Sequence, residues 1–280
     1  MIDLTEMLSY TFMQRAFIVG TLITFCSALI GVSLVLRRNS MIGDGLSHVG
    51  FGAFAVATVL GFAPLEFAIP IVIVVSFLIL KLNENSKIHG DSAIALISAS
   101  SLAIGTFIIS VTKGVNTDIN NYLFGSILSI SREDVIISII LSIVVILLYT
   151  FSYHKIFALT FDEKFAKSIG INTNLYNIIF ASLCSIVVVL GMRLMGSLLI
   201  SSLIIFPTLS SMQIFHKFKR VVLSSVIISV ICFILGLVIS FYYATPTSAT
   251  IVIINLIVFL LLKFISYLKR INKGENYGFH

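Results

Sequence analysis

Apolar runs about twenty residues long recur from one end of this 280-residue chain to the other, and no other feature limits its fold so tightly. As an α-helix, a run of that length crosses a hydrocarbon core of about 30 Å. Only helices and closed barrels satisfy their backbone polar groups in lipid. Nine such segments can be read: 15–36, 43–61, 65–81, 91–112, 133–152, 173–192, 194–215, 221–242 and 247–268. Charged residues are 11% of the chain, where a soluble domain carries about a quarter. The expectation is an all-α, polytopic helical membrane protein of about eight to nine transmembrane helices, forming a single transmembrane domain over residues 1–280. The opening MIDLTEMLSYTFMQRAF lacks a basic stretch followed by an apolar core and a small-residue cleavage site, so no cleaved signal peptide is expected.

The net charge of +6 raises the possibility of a nucleic-acid partner, but the basic residues sit at the ends of the apolar runs. That distribution reports membrane topology. With the tail KRINKGENYGFH placed in the cytoplasm and nine alternating spans, the outer side keeps Arg15, Lys113, Arg132 and Arg193, and the remaining basic residues fall inside. No nucleic acid is expected as a partner; membrane lipid is. Cys26, Cys184 and Cys232 are widely separated within apolar runs, which suits packing and not a disulfide framework or thiolate metal site.

The least apolar of the nine segments holds RRNSMIGDGLSHVGFGAFAVA, residues 37–57. Asp44 and His48 are four residues apart, so on a helix they share a face. Asp44 lies about 10 Å beyond the basic boundary at Arg37 and Arg38, and His48 about 6 Å deeper. Ionisable groups at such depth cost a few kcal/mol each and face the protein interior or a water-filled path. One reading is that they hydrogen-bond each other or neighbouring helices and only stabilise packing. The other is a metal site, since a carboxylate with an imidazole suits Zn²⁺, Mn²⁺ or Fe²⁺ to different degrees. The small residues Gly43, Gly45, Ser47, Gly50, Gly52 and Ala53 would let another helix, or the same helix of a second copy, approach closely. Two ligands are too few for a closed site; two copies across a dimer axis would supply four.

Other titratable residues are weaker candidates. His89, His154 and His216 stand at cytoplasmic segment ends, where solvation is expected. Glu66 and Asp118 lie near the outer side, as vestibule residues or as ordinary solvated loop residues. Asp91 reads as a helix-start residue that complements the dipole. The run GMRLMGSLLISSLIIFPTLSSMQIF, rich in small residues and kinked by Pro207, reads as a pathway-lining helix or as an ordinary helix contact. ATPTSATIVIINLIVF begins its helix with a Thr-Pro-Thr-Ser cap cluster. The longest cytoplasmic loop, YHKIFALTFDEKFAKSIGIN (153–172), can form one short helix with Phe161, Phe165 and Ile169 on one face. Pattern alone leaves it open between resting on lipid headgroups and docking a cytoplasmic partner. No phosphate-binding G-x-x-x-x-G-K-[ST], no H-E-x-x-H and no nucleophile elbow occurs, so neither nucleotide hydrolysis nor intramembrane proteolysis is expected of this chain.

Taken together, these stretches resemble a known family. LVLRRNSMIGDGLSHVGFGAFAVA resembles the LRR-S-hydrophobic-GDALSHA signature of the metal-type ABC permeases, the zinc and manganese importer family also called ABC-3. NYLFGSILSISREDV resembles that family's outer loop and next helix, and FDEKFAKSIGIN its cytoplasmic coupling segment. GSLLISSLIIFPTLSS and TPTSATIVIINLIVF resemble its LLVSALLIIPAA and PTGPTIVL helices. The matches run in family order across nearly the whole chain.

The resemblance implies a homodimeric permease in a bacterial plasma membrane, served by an extracellular metal-binding lipoprotein and a separate cytoplasmic ABC ATPase. It implies that Asp44 and His48 contact the transported metal. It makes residues 155–172 the coupling segment, with Phe161, Asp162, Glu163, Phe165, Ala166, Ile169 and Gly170 facing the ATPase; Ala166 and Gly170 match the A-x-x-x-G part of the coupling motif. Lys164 stands where an acid is usual, Gly45 where many members have Ala, and HVGFGAFAVA lacks the Pro of many manganese-type members, which leans the reading towards zinc. The function expected is therefore the permease subunit of an ATP-driven importer of a divalent transition metal, not an enzyme and with no resident cofactor. The alternative is an ion- or proton-coupled secondary transporter acting without an ATPase, with Asp44 and His48 as its coupling site.

Overall fold

The computed structural model describes residues 4–85, 90–112, 125 and 130–272. Eleven helices are named in chain order: α1 (Leu4–Ser9), α2 (Thr11–Leu36), α3 (Ile42–Leu60), α4 (Pro64–Asn85), α5 (Gly90–Val111), α6 (Arg132–Phe161), α7 (Glu163–Ser168), α8 (Thr173–Met195), α9 (Ser197–Met212), α10 (Phe218–Tyr243) and α11 (Thr247–Asn272). The nine apolar segments coincide with α2–α6 and α8–α11. Among the described residues, seven helices are long and apolar enough to cross a membrane, and Pro64–Ile79 and Ser197–Met212 are shorter apolar stretches. Length and composition thus support seven spans; the expected count of eight to nine is not reached by these criteria.

The bundle has an inner and an outer set. In α2, α3 and α8, 72% of the most apolar window is buried, against 17% in α5 and 11% in α11. Helices apolar on all sides have two homes, a protein core or lipid, and these two sets divide between them. α2 packs against α6, α8, α9 and α10, and α3 packs against α4, α5, α8 and α9. The inner helices meet where side chains are small. A Cβ on Gly31 of α2 would collide with the Ile204 carbonyl of α9, and a Cβ on Gly52 of α3 would lie 2.8 Å from the Ser101 carbonyl of α5.

Four of the described connections are tight. Arg38 adopts φ 59°, and its N–H donates to the Val35 carbonyl while that of Asn39 donates to Leu34, a left-handed cap that turns α2 into α3 within five residues. Gly61 ends α3 in the same way, with φ 72° and Phe62 N–H donating to the Ala57 carbonyl. α8 breaks into α9 at Gly196 (φ 88°). Between α10 and α11, Ser240 Oγ donates to the Thr245 carbonyl over 2.6 Å and pairs with Thr247 Oγ1 at 2.8 Å, which ties the end of α10 to the start of α11. α6 runs on to Phe161, nine residues past its expected end, so only Glu163–Ser168 forms a separate helix in the 153–172 segment. At 30 residues it is about 45 Å long and outreaches a core of about 30 Å.

Candidate functional site

Asp44 stands in the first turn of α3 and His48 one turn later, on the same face. His48 Nε2 lies 3.8 Å from Asp44 Oδ2. That exceeds hydrogen-bond reach, so the pair is not consumed by bonding itself. It is also a few tenths wider than the roughly 3 to 3.5 Å between neighbouring ligands of a metal bound at about 2.1 Å. The side chains are 21% (His48) and 45% (Asp44) exposed, so the face they share is open. Ser201 Oγ of α9 donates to Asp44 Oδ1 over 3.2 Å, and Ser47 Oγ donates to the Asp44 carbonyl over 2.7 Å. His48 Nδ1 is buried and has no hydrogen-bond partner among the described residues, so none of them fixes the imidazole's tautomer from that side. No group of three or more His, Cys, Asp or Glu placed to hold a metal occurs among the described residues. One chain therefore offers a carboxylate, an imidazole and a nearby hydroxyl, an open and incomplete ligand set.

The glycines around the pair are used within the chain. A Cβ on Gly43 would meet Ile204 Cδ1 of α9 at 2.9 Å, one on Gly45 would meet Ile94 Cγ2 of α5 at 2.5 Å, and one on Gly50 would meet Met192 Cε of α8 at 3.1 Å. With Gly52 on α5, the small residues read as a helix-approach surface seat α3 among its own neighbours. They do not form a free face for a second copy.

At the Arg37 end, a second polar cluster ties three elements together. Arg37 Nη1 donates to Asn177 Oδ1 over 3.1 Å, its guanidinium lies 4.8 Å from the Phe180 ring centroid, and Asn177 Nδ2 donates to Glu163 Oε1 over 2.7 Å. Burial lowers the Arg37 guanidinium from its ordinary value, and Glu163 opposes that shift. In the sequence Arg37 reads only as a boundary marker and Asn177 does not stand out; an amide one turn into an apolar segment, beside Asn172 and Asn174, is the available signal.

The segment expected to couple to an ATPase is divided between two helices. Phe161 ends α6 and packs with Phe157 and Phe218, ring centroids 5.0 Å and 6.0 Å away. Asp162 caps α7, its Oδ1 accepting from Phe165 N–H over 2.9 Å. Ala166 is fully buried, whereas Phe161, Phe165 and Ile169 are 60%, 59% and 56% exposed. Gly170 (φ 85°) ends the helix, with Ile171 N–H donating to the Ala166 carbonyl over 3.1 Å. A six-residue helix thus stands on one small buried side chain and presents an apolar outer face.

Of the remaining candidates, Glu66 is exposed in the first turn of α4, remote in sequence and element from the Asp44 pair, and Asp118 and His89 lie outside the described residues. His154 and His216 are exposed, as expected. The three cysteines are free and buried. Sequence reasoning also misses the N-terminus of α6. There Ser131 and Asp134 form a reciprocal capping box and Arg193 Nη2 stands 4.0 Å from Asp134 Oδ2.

Comparison with known proteins places this architecture. A family model described as ABC 3 transport family matches residues 9–266. The chain is 30% identical to the manganese import system permease protein ScaB of Streptococcus gordonii, covering 93% of this chain and 95% of the relative. It is 32% identical to a probable metal transport system membrane protein of Thermotoga maritima, covering 92% of each. A solved structure of PsaBC from Streptococcus pneumoniae in complex with Fab superposes with a TM-score of 0.86 at 27% identity, covering 98% of both chains.

Proposed function

The chain belongs to the ABC 3 transport family and is a multi-pass bacterial membrane protein, the permease of a metal ABC importer and not an enzyme, and from that premise we propose that it carries manganese through a transient site at Asp44 and His48. The observation that carries this reading is the pair itself: a carboxylate and an imidazole 3.8 Å apart on an open helix face, not bonded to each other, with the carboxylate held by Ser201 of a neighbouring helix. Incomplete coordination suits a conduction site, because an ion must leave as readily as it enters. Two copies of the chain, a single permease domain each, would bring two such pairs to one path. In this arrangement the shorter apolar stretches Pro64–Ile79 and Ser197–Met212 complete the path as eighth and ninth spans, each about 24 Å long.

The partners proposed are a cytoplasmic ABC ATPase, docked on the exposed apolar face of α7, and an extracellular metal-binding lipoprotein. Closure of the ATPase, felt through α7, opens the inner side. Manganese is favoured by the names of the relatives; the lean towards zinc has no support among them. A secondary transporter working alone is not favoured, since the family match is to an ATP-driven class. The test is reconstitution with the ATPase in proteoliposomes. Manganese uptake should require ATP, and Asp44→Ala with His48→Ala should abolish uptake at normal expression. Wild-type uptake by that double variant would remove the site from the reading.

A further inference from the structure

Arg37 joins three elements far apart in sequence: it closes α2, bonds Asn177 in α8, and through that amide reaches Glu163, the first residue of α7. We propose that Arg37 and Asn177 form a polar relay that positions the Asp44 end of α3 according to the state of the docking helix α7, an inference that rests on the docking reading above.

The path from Arg37 to Asp44 has no slack. Arg38 N–H bonds Val35, Asn39 N–H bonds Leu34, Ile42 N–H bonds Asn39 and Gly45 N–H bonds Met41, all through carbonyls at 2.9 to 3.1 Å. Every residue between the two helices thus lies within a hydrogen-bonded turn, and Arg38 holds a left-handed conformation that a non-glycine residue adopts only at a cost. A displacement of Arg37 is passed to the first turn of α3 and not absorbed by a loop.

The guanidinium is also incompletely satisfied in this arrangement. Nη1 is bonded, whereas Nε and Nη2 are buried without a hydrogen-bond partner among the described residues. A small cleft borders it, lined by Asn39, Ile42, Ser76, Ala181 and Cys184. A buried cation with unpaired N–H groups is costly and depends on what pairing it has. Withdrawing Glu163 would remove the carboxylate to which the Asn177 amide donates and, with it, the charge that offsets the burial of Arg37. Asn39 and Ser76 line the same cleft as the guanidinium, and in the relay their oxygens are the acceptors with which a displaced guanidinium re-pairs. Two pairings of one buried cation are what a two-state element needs to carry coupling between sites.

A tertiary clip with no part in coupling would make the same contacts, so the test reads coupling and not stability. The permease–ATPase complex is reconstituted in proteoliposomes, assembly is checked by copurification, and manganese transported per ATP hydrolysed is measured. Asn177→Leu should lower that ratio about tenfold while hydrolysis continues. Asn177→Asp, which sets two carboxylates together, should do the same. Asn177→Asp combined with Glu163→Gln rebuilds the chain with its polarity reversed, and should return the ratio to within about twofold of wild type. Glu163→Ala, at an exposed position, carries the same expectation as Asn177→Leu should that variant fail to assemble. An unchanged ratio in Glu163→Ala or Asn177→Asp, or no rescue in the double variant, overturns the relay. Wild-type uptake that proceeds without ATP would instead overturn the importer reading, and the relay with it.

Discussion

Gly52 of α3 and Ser101 of α5 meet backbone to backbone: a Cβ on Gly52 would stand 2.8 Å from the Ser101 carbonyl oxygen, and a Cβ on Gly105 would stand 3.1 Å from the Gly52 Cα. Carbonyls in a helix cannot step aside as a side chain can. In an open helix position Gly→Ala is favourable by about 1 kcal/mol through propensity. Here overpacking should win, costing about 1–3 kcal/mol. Gly52→Ala should therefore lower the apparent melting temperature in detergent. Gly50→Ala, whose Cβ would stand 3.1 Å from the terminal methyl of the flexible Met192 side chain, should lower it less. Equal shifts would show that the α3–α5 contact is not backbone-limited.

That contrast also shows what is legible in the sequence. The nine apolar segments are readable because hydrophobic length is a one-dimensional property, and Asp44 and His48 stand out because ionisable groups are rare at that depth. Which neighbour each glycine meets is not readable. Gly43, Gly45, Gly50 and Gly52 look alike in the chain, yet they face α9, α5, α8 and α5 respectively. The end of α6 is misplaced from sequence because 153–161 is read as part of the 153–172 loop, whose one short helix carries Phe161, Phe165 and Ile169 on a face, whereas the break falls at Asp162, whose carboxylate caps α7. Ser201 is visible only as one of many small residues; its bond to Asp44 depends on how α9 lies on α3. The Arg37–Asn177–Glu163 chain joins residues up to 140 positions apart, beyond any local pattern.

If His48 donates a nitrogen to the passing ion, changing the donor should change the preference. His48→Glu leaves only oxygen ligands, which suit Mn²⁺ better than Zn²⁺ relative to an imidazole site. In ATP-driven uptake assays with both metals present, the manganese-to-zinc ratio should rise several-fold, by about tenfold at most. Ser201→Ala, which removes only the hydroxyl bonded to Asp44, should leave the ratio near wild type and reduce uptake modestly. An unchanged ratio in an active His48→Glu permease would mean that the imidazole does not touch the ion.

Asp134 stabilises the start of α6 in two ways. Its Oδ2 accepts from Ser131 N–H at 3.1 Å and from Ser131 Oγ at 2.9 Å, and it stands 4.0 Å from Arg193 Nη2. The hydrogen bonds are the larger contribution, since the ion pair is long and Arg193 is partly exposed. Asp134→Ala should cost about 1–2 kcal/mol, read as a lower apparent melting temperature. Asp134→Asn keeps an acceptor for Ser131 and should lose clearly less. Equal losses would mean that the ion pair with Arg193, absent from both variants, stabilises this helix start more than the capping box does.

Ala166 is the fully buried foot on which α7 stands, and Phe165 is 59% exposed on its outer side. The two residues should therefore fail differently. Ala166→Leu adds volume beneath the helix and should tilt or lift it at a cost of about 1–3 kcal/mol. That changes the docking geometry without removing the docking face. Phe165→Ala keeps the helix seated, since Asp162 still caps it, but removes an exposed aromatic of the kind that anchors interfaces. Titration of the purified permease with its ATPase should show weaker association for Phe165→Ala, with an unchanged melting temperature for the permease alone. Ala166→Leu should lower both. If Phe165→Ala binds the ATPase as wild type does, the exposed apolar face of α7 rests on lipid and not on a protein partner.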